Sequence, residues 1–418
     1  MKILDSKAIT KMQAIIIVVV LIVVAVAASA YYITLPPAKN TILFGCSLSL
    51  TGTNAQEGAL VLEGYQLWMN YTNTHGGLIG EKVNLIYYDD QSNPTLAETL
   101  YEKLITVDHV NFLLGPYFSS VGETAAVVAE KYNMVLIHAL NNALALYNQP
   151  TYNNEFLAHS EGLSTNAQNI LFQMLLSLPS SEMPKTIAMI SLNSAFPSSE
   201  ASGVQGLVKQ YSSDGFSIAF QATVPSGVTD VTTQIEQAKA SNAQILFCIG
   251  DATSEDLMVT TAAEFNYHPE VIMTATAAGV STFRTQLGND AYGCLYISGY
   301  NPTANNTLTQ QYAQEFTAKY GTAPSSYDAL GYRACQILGA AISATGSLNQ
   351  NTVRNWLTTN TVQTNCGPWT VDQSLVAQGI KYVPVESAVI TQQQPQGNVV
   401  VWPPADATAQ FQLNGTVA

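Results

Sequence analysis

The sequence predicts a doubly wound α/β protein of two lobes, each built on a parallel sheet, behind a single N-terminal hydrophobic segment. Three observations predict it. Past Pro36-Pro37, short apolar runs alternate with helix-length amphipathic segments, the signature of parallel strands joined by crossover helices. About ten such runs follow one another, where a single open sheet tends to split in two. The chain of 418 residues, 47% apolar and 11% charged, is long enough for two or three domains at ~150 residues each.

The first segment carries no charge from Ala14 to Ala30, and Ile15 to Ala28 is almost wholly Ile, Val, Leu and Ala behind Lys2, Lys7 and Lys11. It reads as an export signal. With Tyr31, Tyr32, Ile33 and Leu35 it reaches the ~20 residues that span a bilayer, so cleavage after Ala28-Ser29-Ala30 and retention as an anchor both stand. In either case the three lysines stay inside and everything after about Pro36 faces out. No second stretch of spanning length follows, so the chain is not itself a channel.

The first strand is Thr41 to Leu48. A helix over about 57–74 puts Leu60, Gly64, Leu67, Trp68 and Tyr71 on one face and stops at Gly76-Gly77. Val83 to Tyr88 is a second strand, after which Asn93-Pro94 supplies a cap and an N1 proline for the next helix. Phe112 to Leu114, Met134 to Ile137, Ile187 to Ser191, Ile218 to Ala222, Ile245 to Ile249 and Val271 to Met273 continue the strands. Helices lie between them near 121–131, 164–177, 198–213, 230–241 and 254–265. After Tyr296 the rhythm changes to helices over 307–320, 326–345 and 351–359, then strand-like Val383 to Thr391 and Val399 to Trp402. Pro403 to Ala418 reads as a tail.

A formal charge of -14 has the wrong sign for a phosphate backbone and excludes nucleic-acid binding; anionic lipid would repel the body too. The five cysteines are scattered without a CxxC spacing, which argues against zinc and against a disulfide scaffold. Cys46 and Cys248 read as buried small hydrophobes, whereas one pair among Cys294, Cys335 and Cys366 remains open as a bridge. No cysteine follows the hydrophobic run to take a lipid. Asn70, Asn305 and Asn414 lie in N-x-[ST] sequons.

In open α/β sheets ligands bind at the carboxyl ends of strands. That rule selects six loops: Ser49 to Glu57, Pro116 to Ser120, His138 to Asn142, Asn193 to Phe196, Asp251 to Ser254 and Thr274 to Ala278. They are rich in hydroxyls, amides and aromatics and poor in charge, which suits a small polar ligand better than acid–base chemistry. His138, after a strand, is the histidine expected nearest the cleft. Nucleotide, hydrolase and metalloprotease motifs are all missing, and Asp89-Asp90 reads as loop structure, since neighbouring side chains on extended backbone point apart. The chain reads as a binding protein with no cofactor and no catalytic residue; an enzyme is the weaker alternative.

Four stretches in order, Leu48-Ser49-Leu50-Thr51-Gly52, Asn73-Thr74-His75-Gly76-Gly77-Leu78-Ile79-Gly80, Tyr88-Asp89-Asp90-Gln91-Ser92-Asn93-Pro94 and Leu114-Gly115-Pro116-Tyr117-Phe118-Ser119-Ser120, resemble the branched-chain amino-acid binding proteins, type I periplasmic solute receptors of ABC transporters. Tyr327-Asp328-Ala329 and Val401-Trp402-Pro403-Pro404 are similar to later landmarks of that family, so the resemblance covers the exported part. It implies two lobes joined by three crossovers, a ligand trapped by hinge closure, and ABC permease subunits as partners. Crossovers near His159, Tyr300 and Gly367 give a first lobe of 41–159 with 300–366 and a second of 160–299 with 367–402. A receptor that signals instead of feeding a transporter has the same fold and stays open.

The same resemblance implies site residues. Ser119 matches the serine that holds the ligand carboxylate, and with Ser120 it stands where a helix begins, so an N-cap role is the other reading. Leu140 falls where the family uses a backbone carbonyl, and Asn142 replaces its threonine. Phe196 and Tyr327 match aromatic walls. Two positions depart: the glutamate that pairs with the ligand ammonium aligns with Thr276, and its partner tyrosine with Asp251. Asp251 can supply the missing carboxylate or cap the helix that follows; alternatively the ligand has no ammonium.

Overall fold

The computed structural model describes residues 41–413; the hydrophobic N-terminal run, its lysines and the sequon at Asn414 lie outside the described residues. Among the described residues no helix is long and apolar enough to cross a membrane. The first sheet has the order β2-β1-β3-β4-β5, from Thr41–Leu48 (β1), Lys82–Asp89 (β2), Phe112–Leu114 (β3), Leu136–His138 (β4) and Glu155–Leu157 (β5). The second has the order β14-β13-β10-β9-β8-β6-β7, from Thr186–Leu192 (β6), Ser217–Val224 (β7), Ile245–Ile249 (β8), Val271–Thr274 (β9), Leu295–Ser298 (β10), Val389–Gln394 (β13) and Gly397–Trp402 (β14). A separate hairpin joins Val362–Thr364 (β11) to Gly367–Trp369 (β12).

Helices bridge the strands, all but α8 and α12 where the periodicity predicts them: Ala55–Thr74 (α1), Pro94–Thr106 (α2), Ser119–Tyr132 (α3), Asn169–Leu176 (α4), Ala195–Gln210 (α5), Thr232–Ala240 (α6), Ala252–Glu264 (α7) and Phe283–Leu287 (α8), then Thr307–Tyr320 (α9), Ser326–Thr345 (α10), Gln350–Leu357 (α11) and Gln373–Ala377 (α12). The Asn93 side chain accepts from the N–H groups of Thr95 and Leu96, with Pro94 at the first helical position. α10 starts at a capping box between Ser325 and Asp328. It lies against α1 at backbone distance, because a Cβ on Gly64 would stand 2.1 Å from the Asp328 carbonyl oxygen. Only glycine permits that approach.

Both sheets are nearly all parallel, and their inner strands are buried on both faces, as the unbroken apolar runs imply, whereas the edge strands β2 and β7 are partly exposed. Phe44, Phe112 and Ile137 of the first and Ala188, Leu246 and Cys248 of the second belong to one apolar cluster. The exceptions are β13 and β14, antiparallel at the edge beyond β10.

The structure departs from the sequence reading in several places. β5 and β10 went unread: β5 is three residues long and opens on Glu155, which stays buried because its Oε2 lies 2.7 Å from His138 Nε2. Residues 164–168 are turns, so α4 is shorter than expected. From Gly367 to Pro384 the chain packs against the first sheet without joining it as a strand. Trp369 Nε1 donates to the Leu157 carbonyl at 2.8 Å, Lys381 Nζ donates to the carbonyls of Pro150 and Tyr152, and Val383 is buried beside Leu146 and Leu157. The chain returns to the second sheet only beyond Glu386. The described part of the presumed tail is also fixed: Gln392 Nε2 donates to the Gln412 carbonyl, Gln394 Nε2 to that of Gln410, and Phe411 packs on the second core. All five cysteines are free thiols; the open question of a bridge among Cys294, Cys335 and Cys366 closes without one.

Candidate functional site

Strand order in the first sheet reverses between β1 and β3, and in the second between β6 and β8. Beside each reversal the outgoing loops diverge to opposite faces and leave a crevice at the strands' carboxyl ends. A cleft of about 620 Å³, partly open to solvent, lies where these loops meet, and all six loops selected from the sequence contribute to its lining. Every candidate residue except Ser120 lines it.

Ser119 is the first residue of α3, and the N-cap is Phe118, with extended backbone and no capping side chain. Ser119 is 3% exposed, and its hydroxyl has no protein partner among the described residues. The first bonds of α3 run from the N–H groups of Val121 and Gly122 to the Phe118 carbonyl, leaving those of Ser119 and Ser120 without a carbonyl acceptor. A hydroxyl and free N–H groups at the positive end of a 14-residue helix form a ready anion site. The helix start is held close to the loop after β4: a Cβ on Gly122 would meet Asn141 Nδ2 at 2.4 Å. In that loop the Asn142 amide donates to the Gly162 carbonyl at 3.2 Å, while its Oδ1 has no protein partner.

Tyr117 and Tyr327 meet edge to face at 5.5 Å and form an aromatic wall. The Tyr327 hydroxyl donates to the Thr276 carbonyl at 2.9 Å, so a side chain of α10 reaches the loop after β9. The Thr276 hydroxyl is committed to the Gly250 carbonyl at 2.8 Å. Beneath it Glu255 gathers the N–H groups of Gly250, Ala275, Thr276 and Ala277. Burial pushes its carboxyl well above the usual range although those bonds pull the other way. Phe196, half-buried in the first turn of α5, supplies another aromatic wall.

Asp251 is both a cap and a lining group. Its Oδ1 accepts from Ser254 N at 2.9 Å and from Ser254 Oγ at 2.7 Å, while Oδ2 has no protein partner. Beside it, Glu57 of α1 accepts from the Ala252 N–H at the start of α7, 3.0 Å away. Glu57 is buried, and its carboxyl is pushed up to about 7, chiefly by desolvation, with Asp251 and Asp256 adding to the rise and the Ala252 bond opposing it.

His138 is not in the cleft. It lies in β4 with Nε2 on Glu155 and Nδ1 2.9 Å from Asn141 Nδ2, and burial lowers it to about 3 while raising Glu155, so the pair is a neutral hydrogen bond. The histidine that lines the cleft is His159, in the crossover after β5, with Glu161 beside it. Gln168 and Glu200 also line it and went unread. Glu200 carried a signal, standing one helical turn after Phe196 on the same face of α5. None of the lining residues is lysine or arginine. Among the described residues no set of His, Cys, Asp and Glu side chains is arranged to hold a metal ion.

A family model described as periplasmic binding protein matches residues 41–381. The Leu/Ile/Val-binding protein of Escherichia coli (strain K12) is 21% identical over 359 residues, 80% of this chain and 87% of that one. Among solved structures, the branched-chain amino acid transporter substrate binding protein LivJ of Streptococcus pneumoniae, in complex with isoleucine, superposes with a TM-score of 0.74 at 19% identity over 87% of this chain and 100% of its own. A solute binding protein of an ABC transporter from R. palustris, in complex with benzoate, does so with a TM-score of 0.75 at 16% identity over 90% and 99%. Two parallel sheets joined by crossovers, a cleft at their facing switch points and a family match spanning most of the chain agree, and the chain belongs to the periplasmic binding protein family.

Proposed function

We propose that this chain is the extracellular solute receptor of an ABC transporter, which captures an amino acid or a related carboxylate or amide between its lobes and hands it unchanged to a membrane permease. The observation that carries the reading is a pair of unsatisfied groups lining one cleft: the Ser119 hydroxyl with the bare start of α3, which suits a carboxylate, and the free oxygen of Asp251, which suits an ammonium. Isoleucine and benzoate, held by two structural neighbours, share a carboxylate and differ in the ammonium. Asp251, in a lining without lysine or arginine, favours the ligand that has one.

The reading divides the chain into a first lobe of 41–159 with 300–385 and a second of 160–299 with 386–413. In this division Glu57 to Ala252 and Tyr327 to Thr276 are contacts made on closure. The run from Ala14 to Ala30, as leader or anchor, carries the body to the outer face. Calorimetric titration of the purified protein with free amino acids, amides and aromatic carboxylates, followed by mass spectrometry of the recovered ligand, tests the function. One site and an unaltered ligand are expected; turnover of the ligand, or no binding from any solute class, overturns it.

A further inference from the structure

The carboxyl of Asp251 is not the only acceptor facing the cleft. Glu161, Gln168 and Glu200, carried by the crossover after β5 and by the elements around α4 and α5, form a second cluster on different parts of the chain. Gln168 is 2% exposed and donates through Nε2 to Glu200 Oε1 at 2.5 Å, but its own Oε1 is buried without a hydrogen-bond partner. Glu161 Oε1 accepts from the Gly299 N–H at 2.7 Å, leaving its second oxygen free. Glu200 likewise has one oxygen without a protein partner. His159 Nε2 comes within ion-pair distance of Glu161 Oε1, 2.6 Å, without hydrogen-bond alignment, and its buried Nδ1 has no hydrogen-bond partner.

A buried acceptor left unpaired is costly, and two carboxyls facing one space repel each other unless a cation joins them; His159, the one such group at hand, reaches only Glu161. Burial pushes Glu200 up to about 8, with Glu161 adding to the rise and the Gln168 bond opposing it. Free carboxyl oxygens, an orphaned amide oxygen and no lysine or arginine in the lining call for a group that brings several donors and positive charge.

We propose that Glu161, Gln168 and Glu200 form a second subsite that takes an ammonium or guanidinium group of the solute, so that the captured ligand is a basic amino acid or a close relative, not an aliphatic one. This rests on the solute-receptor reading above and narrows its ligand. The Ser119 end holds the carboxylate, Asp251 the α-ammonium, and the second cluster the side-chain cation.

The test is calorimetric titration of the full-length protein with arginine, lysine, glutamine, leucine and benzoate, repeated on Glu200→Gln and Glu161→Gln. Arginine or lysine is expected to bind at least tenfold more tightly than glutamine, leucine or benzoate. Each variant is expected to lose at least tenfold for the basic ligand and to change leucine and benzoate affinity far less, with an unchanged melting curve as the check on folding. If one variant fails to fold, the other decides. Leucine, glutamine or benzoate binding best, or arginine affinity unchanged in a folded variant, overturns the subsite and leaves the receptor reading intact. Absence of binding by both basic amino acids also overturns it, whereas the receptor reading falls only if no solute of any class binds or the bound ligand is turned over.

Discussion

Glu57→Gln isolates the most exposed consequence of the contact between α1 and α7. In the folded protein the Glu57 carboxyl is buried against the Ala252 N–H and its affinity for a proton is raised from 4.5 to about 7. The folded state therefore binds this proton more tightly than the unfolded chain. Protonated Glu57 contributes its full stability below pH ~4.5, and the contribution is lost as pH rises toward about 7. At 1.36 kcal/mol per unit, the loss between these limits is about 3 kcal/mol. Glutamine keeps an oxygen for the Ala252 N–H and never ionises. Urea unfolding of both proteins at saturating ligand, which holds the closed form, should give similar stabilities near pH 4.5 and a growing advantage for Glu57→Gln, reaching about 3 kcal/mol by pH 8. Other buried carboxyls titrate in both proteins, so the difference between them is the readout. A difference independent of pH, or a variant less stable than the parent at pH 8, would refute the reasoning.

Three further outcomes follow from the same geometry. Ser119→Ala should weaken ligand binding by about 0.5–3 kcal/mol in a titration without altering the helix, since Ser119 is not the cap; unchanged affinity removes it from the site. Asp251→Asn keeps a cap oxygen for Ser254 but loses the charge, so amino-acid affinity should fall at least about tenfold while Thr276→Ala, whose hydroxyl already serves Gly250, costs less; the reverse order removes the ammonium from Asp251. Gly64→Ala should destabilise the fold by about 1–3 kcal/mol or more in denaturant unfolding, because its Cβ meets backbone of α10 that cannot rotate away; a neutral change would mean the two helices separate freely.

What the sequence makes legible is whatever repeats. β1, β3 and β8 and the helices α9 and α10 match the apolar runs and helical periods residue for residue, because buried parallel strands and long amphipathic helices carry their pattern over many positions. The strand-end rule then finds most of the cleft, since loop position follows from strand position. Short pieces held by tertiary contacts escape. β5 begins with a charged residue that only its pairing with His138 makes tolerable. The return to the second sheet beyond Glu386 depends on Trp369 and Lys381 reaching across more than 200 residues, which no local pattern signals. The same holds within the site. Ser119, Asp251 and Tyr327 sit at strand ends or helix starts, whereas Glu161 and Gln168 lie in a crossover behind an unread strand.

The central claim, a receptor whose two lobes close on a small solute, is tested most directly by small-angle X-ray scattering from the purified protein with and without the amino acid that titration identifies. Closure that brings Glu57 to Ala252 and Tyr327 to Thr276 predicts a smaller radius of gyration with ligand and a bound curve matching that calculated from this structure. Superimposable curves at saturating ligand would contradict it.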